Sequence, residues 1–138
     1  MWWTYALLSA VFAALTAILA KVGVKGIDSN VATAVRTSVV LVLACGVVAI
    51  QGNLGAVAAI PRGPMLFLVL SAVATGASWL FYFKALQLGT ASLVSAVDKS
   101  SLALTIILAA LFLGETLTLK TAVGCTLIIA GTAVIAWP

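Results

Sequence analysis

The amino-acid sequence predicts an all-α membrane protein with five transmembrane helices. Two observations carry that prediction. Of the 138 residues, 64% are apolar and only 7% are charged, whereas ordinary soluble domains hold roughly 45–50% and about 25%. A chain this small leaves much of its surface exposed when folded in water, and could not hide so much apolar area. The apolar residues also fall into five runs. Each is close to the roughly 20 residues a helix needs to cross a bilayer, and short polar segments separate them. The composition excludes a soluble globular domain and a disordered chain.

The first span is Trp2–Val22. It is too long for the apolar core of a signal peptide and lacks the basic segment that precedes one. Lys25-Gly26-Ile27-Asp28-Ser29-Asn30 breaks the run, and Ser29 or Asn30 can cap the next helix. The second span, Val31–Ile50, carries Arg36. A Gly- and Pro-containing loop, residues 51–63, follows, with an apolar patch at Val57–Ile60. Pro64 suits the first turn of the third span, where its missing N–H is no loss. That span runs to Leu86, and Gly89 suits the end of a helix. The fourth span is the informative one. The apolar run Ser100–Leu113 is too short to cross by itself. Either it does not span, or the helix starts at Ala91 and takes Asp98 and Lys99 into the membrane, the reading adopted here. Gly114-Glu115-Thr116 makes a tight turn, and Leu119–Trp137 is the fifth span. One five-helix domain, residues 1–138, uses nearly the whole chain. Trp2, Trp3, Tyr5 and Trp137 lie at span ends, where aromatic belts form.

The residue inventory excludes most chemistry. The chain has no His, so it has no imidazole metal site and no Ser-His-Asp triad. Its only acids, Asp28, Asp98 and Glu115, are far apart in sequence. Cys45 and Cys125 lie in apolar runs and read as small hydrophobes. Neither an enzyme nor a metal or other cofactor is implied. The net charge of +4 is scattered, with no basic cluster fit for nucleic acid.

Ionisable groups within spans are expensive and mark function more often than structure. Lys21 and Lys84 lie near helix ends and can snorkel. Arg36 is deeper, about 9 Å from its helix start at 1.5 Å per residue. Asp98 is too short to snorkel from about 10 Å. On a continuous helix Asp98 and Lys99 point about 100° apart and are not each other's best partners. Polar residues recur at helical spacing: Ser71, Thr75, Ser78 and Tyr82 in the third span, and Asp98, Ser101 and Thr105 in the fourth. Ser9 and Thr16 mark a small-residue face in the first, and Thr33 and Thr37 flank Arg36. These stripes are either helix contacts or the walls of a polar cavity, with Trp79 and Phe83 as candidate wall residues. Gly124 and Gly131, seven apart on the last span, are candidate dimer contacts.

Five spans put the termini on opposite sides. Lys21, Lys25 and Lys84 fall on one side, and Arg62, Lys120 and the amino terminus on the other. Arg36 and Lys99 tilt the count slightly toward the first. So weak a positive-inside bias is what insertion in both orientations would show, although a few loop charges can also decide a single orientation.

The stretch Ser78-Trp-Leu-Phe-Tyr-Phe-Lys-Ala-Leu-Gln-Leu-Gly-Thr-Ala-Ser92, then Leu111-Phe-Leu-Gly-Glu115 and Gly124 with Gly131, resembles EamA-type members of the drug/metabolite transporter superfamily. Lys21 and Arg36 fit as well. The likeness covers nearly the whole chain as a single repeat, where the usual member carries two inverted repeats with substrate between them. It implies a secondary transporter of a small metabolite or drug-like solute, working by alternating access as an antiparallel homodimer in the plasma membrane, a prokaryotic inner membrane. The short four-span relatives hold their essential acid in the first helix, where this chain has none. Asp98 is the remaining candidate for a substrate- or coupling-linked acid, with Arg36, Lys84 and Lys99 as its cations. The excess of interior cations favours an anionic or zwitterionic solute. A half-subunit needing a second five-span chain and a lipid-headgroup flippase are the alternatives.

Overall fold

The computed structural model describes residues 1–137 and is helical throughout, apart from turns and loops. Five helical segments are long and apolar enough to cross a membrane: Trp2–Gly23, Ser29–Ile50, Arg62–Leu88, Ala91–Phe112 and Leu119–Ala136. The helices are α1 (Trp2–Gly23), α2 (Ser29–Ile50), α3 (Leu54–Ala58), α4 (Arg62–Leu88), α5 (Ala91–Asp98), α6 (Ser101–Phe112) and α7 (Leu119–Ala136). Two differences from the sequence reading stand out. The loop after α2 winds into the short α3, and the fourth span is two helices, α5 and α6, not one.

The chain divides into two compact units, residues 19–88 and residues 1–18 with 89–138. In the first, α2 packs along α4. The buried residues gather at one end: Ala20 and Val24 from the end of α1 and the turn beyond it, Ser29 and Thr33 from the start of α2, and Phe83 and Leu86 from the end of α4. Polar clasps close that end. Lys21 Nζ donates to the Leu86 carbonyl. Gln87 Nε2 donates to the Ile27 carbonyl at 2.6 Å and more weakly to that of Val24. Asp28 starts α2, accepting from the backbone N–H of Asn30 at 2.8 Å and of Val31 at 3.2 Å. The cap is therefore one residue earlier than the sequence suggested. A carboxylate there also suits the positive end of the helix dipole.

The other end of this hairpin exposes apolar side chains all round. Phe67, Leu68, Val69 and Leu70 are each more than half exposed. Four consecutive residues sweep a full helical turn, so no single buried face exists there. A helix in water hides one stripe; a helix solvated by lipid need hide none.

In the second unit α7 packs on α5 and, less extensively, on α6. Thr118 caps α7, its hydroxyl accepting from the Thr121 N–H at 3.2 Å. Gly114, at φ 67°, ends α6 and turns the chain so that the Glu115 N–H reaches the Ala109 carbonyl. A residue with a Cβ pays about 1–2 kcal/mol for that left-handed conformation, which is why glycine occupies it.

Candidate functional site

Arg36 is the centre of the first unit's polar chemistry. It lies on α2, half-buried, opposite the last turns of α4. Its guanidinium carbon stands 4.5 Å from the Phe83 ring centroid and 5.4 Å from that of Trp79. Trp79 and Phe83 are four residues apart on α4 and so share one face. Tyr82 meets Phe83 edge-on, with ring centroids 5.8 Å apart. Cation–π contacts contribute about 0.5–1 kcal/mol when exposed and about 2 kcal/mol or more when desolvated, which offsets part of the cost of an Arg inside a membrane span. Among the described residues no carboxylate pairs with Arg36; the one ion pair is Asp98 with Lys99. Lys84, next to Phe83, is exposed.

A groove of about 340 Å³ runs between α2 and α4, bordered by Asn30, Thr33, Thr37 and Ser38 on α2 and by Gly76 and Leu80 on α4; Arg36, Trp79 and Phe83 do not border it. That is at the small end of ligand pockets. Each of its hydroxyls donates back to the carbonyl four residues earlier: Thr33 to Ser29, Thr37 to Thr33 and Ser38 to Ala34. Such back-bonding satisfies the donors without water, so the wall presents acceptor oxygens and methyl groups. Ser38 and Gly76 are not singled out by the sequence, and Asn30 only as a helix cap. The spacing Asn30, Thr33, Thr37, Ser38 and Leu41 is itself a helical stripe that periodicity can find.

The stripe Ser71, Thr75, Ser78 and Tyr82 lies about 150° round α4 from the groove residues Gly76 and Leu80. Ser71, Thr75 and Ser78 are exposed, and Thr75 donates to the Ser71 carbonyl at 2.9 Å. Tyr82 is half-buried.

The second unit holds Asp98 and Lys99. α5 ends at Asp98, and the bonds around the break change register. Lys99 N–H reaches the Ala96 carbonyl, Ser100 that of Val97, Leu102 that of Lys99, and Ala103 that of Ser100. With the further bond from the Lys99 N–H to the Ser95 carbonyl, these make a tight turn between α5 and α6. Asp98, Ser100 and Ser101 favour it, because their short polar side chains compete for the backbone. One expectation is corrected. Asp98 and Lys99 do pair, with Lys99 Nζ 3.6 Å from Asp98 Oδ2, and both are exposed. The long flexible stem of lysine lets its ammonium turn back across the angular step between neighbours.

Thr132 of α7 donates to the Ala96 carbonyl at 3.2 Å. It thereby ties α7 to the turn just before the break. Threonine hydroxyls commonly satisfy backbone groups at broken helices within membranes. Ser101 and Thr105 are exposed, and Thr105 donates to the Ser101 carbonyl. Thr16, on α1, is half-buried. Gly124 is half-buried and Gly131 exposed, and a Cβ at either would meet nothing within 4 Å.

Arg36, Lys84, Trp79 and the first stripe thus belong to one unit, and Asp98, Lys99, Ser101, Thr105, Thr16 and the two glycines to the other. A family model described as the EamA-like transporter family matches residues 1–137. A protein of a Sinorhizobium species, named as an uncharacterized transporter in the cobO 3' region, is 49% identical over 135 residues, covering 98% of this chain and 96% of its own length. No solved structure matches.

Proposed function

The chain belongs to the EamA-like transporter family, a multi-pass membrane transporter, and from that premise we propose how it works. It is a secondary transporter of a small metabolite or drug-like solute in the plasma membrane. It acts by alternating access as an antiparallel homodimer, each protomer supplying one five-span repeat. Asp98 is the acid linked to substrate or coupling ion, and Arg36, Lys84 and Lys99 are the cations of the pathway.

The observation that carries this reading is the pairing of a single five-span unit with a nearly even division of basic residues between its two sides. Transporters of this kind bind substrate between two repeats, so a one-repeat chain needs a second copy. An even charge division lets that copy insert the other way up. The uncovered glycines of α7 support the same reading, since small residues let membrane helices approach closely.

Two reporters fused to the C-terminus test it, one active only in the cytoplasm and one only outside. Comparable activity of both is expected. Activity of one alone, together with absence of a homodimer in bilayers, would replace the reading with a half-subunit that requires a different chain.

A further inference from the structure

Arg36 has charge and geometry that the fold alone does not require. A guanidinium within a membrane span is costly, and an apolar residue would pack α2 on α4 without that cost. The rings of Phe83 and Trp79 stand 4.5 Å and 5.4 Å from the Arg36 guanidinium carbon, and its five N–H donors form a fixed planar fork. No carboxylate pairs with Arg36 among the described residues. The only acid in residues 19–88 is Asp28, and its carboxylate caps α2. The same segment holds five basic residues, Lys21, Lys25, Arg36, Arg62 and Lys84. The chain's whole net charge of +4 therefore lies in this unit.

We propose that the Arg36 edge, oriented by Trp79 and Phe83, is the docking point for an oxyanion, a carboxylate or phosphate group of the ligand. Taking that ligand to be the transported solute rests on the transport reading above. Guanidinium binds such planar or tetrahedral oxyanions through two parallel hydrogen bonds. Contact with the two rings restricts the side chain and reduces the freedom lost on binding. The same arrangement disfavours a lipophilic cation, because the aromatic faces that would attract it already hold the protein's own cation.

The test uses the full chain in phosphatidylcholine nanodiscs, with Trp2, Trp3 and Trp137 changed to Phe so that Trp79 reports alone. Acetate, succinate and inorganic phosphate are titrated against chloride at constant ionic strength. A saturable change in Trp79 emission is expected with at least one of them. It is absent in Arg36→Gln and weakened about tenfold in Arg36→Lys, which keeps the charge but loses the fork. Circular dichroism shows whether each variant is folded, and Arg36→Lys decides the matter should Arg36→Gln fail to fold. If only nanodiscs containing phosphatidylglycerol shift the emission, and Arg36 is needed, the oxyanion is a lipid headgroup and the site stands. No change with any probe, or the same change without the Arg36 fork, overturns the proposal. Flux of the same anions into proteoliposomes separates the two readings. Binding without flux leaves the site and removes the transporter role, and flux without Arg36-dependent binding does the reverse.

Discussion

Residues 19–88 and residues 89–137 solve the membrane problem in different ways. The first segment carries five basic residues and one acid; the second carries two of each. In the first, polar groups are packed. Phe83 and Leu86 are fully buried, Ser29 and Thr33 nearly so, and Arg36 lies on two aromatic rings. In the second, no residue described in α5, α6 or α7 is buried, and the fourth span is interrupted at its charged pair. The contrast teaches that an intramembrane charge can be held in two ways. Packing holds Arg36 against two aromatic rings of α4. Asp98 and Lys99 instead sit at the break between α5 and α6. The first arrangement suits recognition, the second movement or coupling.

The largest effect that would break this contrast comes at the joint. Asp98→Asn is expected to abolish coupled accumulation of substrate in proteoliposomes while leaving the protein folded and membrane-inserted. Unchanged transport would reduce Asp98 to a structural partner of Lys99. The next effect tests packing. Phe83→Ala is expected to destabilise the chain by about 3–5 kcal/mol, the usual result of emptying a buried aromatic site. Phe112→Ala, at a position 80% exposed, is expected to change stability by about 0.5 kcal/mol or less. Unfolding both variants in mixed micelles gives the comparison, and equal losses would contradict it.

Smaller effects sharpen the picture. Asp28→Ala removes the cap of α2 and is expected to cost about 1 kcal/mol, measured by the same unfolding titration. Thr132→Val deletes the hydrogen bond to Ala96 at nearly constant volume. Its expected effect on stability is only about 0.6 kcal/mol, but hydrogen exchange around residues 96–100 is expected to quicken. Unchanged exchange there would mean that Thr132 does not steady the joint.

Much of this was legible in the sequence. Lipid selects long apolar runs, so hydropathy and length mark the spans to within a few residues. Pro64 falls in the first turn of α4, and Gly114 ends α6 as its conformational freedom suggests. The interruption after Asp98 was less visible, because no Gly or Pro announces it. Its signal is the unbroken polar run Asp98-Lys99-Ser100-Ser101 inside an apolar segment. Trp79, Phe83 and Arg36 each stood out by residue type. Their meeting depends on the register of α4 against α2, which no local pattern encodes. The groove lining was overlooked for a different reason. The stripe Ser71, Thr75 and Ser78 is the more conspicuous one, yet those residues are exposed, while Gly76 and Leu80 border the groove.

Counterflow into proteoliposomes tests the central claim most directly. Vesicles holding the wild-type chain are preloaded with a mixture of unlabelled organic anions, zwitterions and cations, and uptake of each labelled compound is followed. Saturable, Arg36-dependent uptake of an anionic or zwitterionic solute is expected. Uptake of no compound by a folded, dimeric wild-type protein, or of lipophilic cations alone, would contradict it.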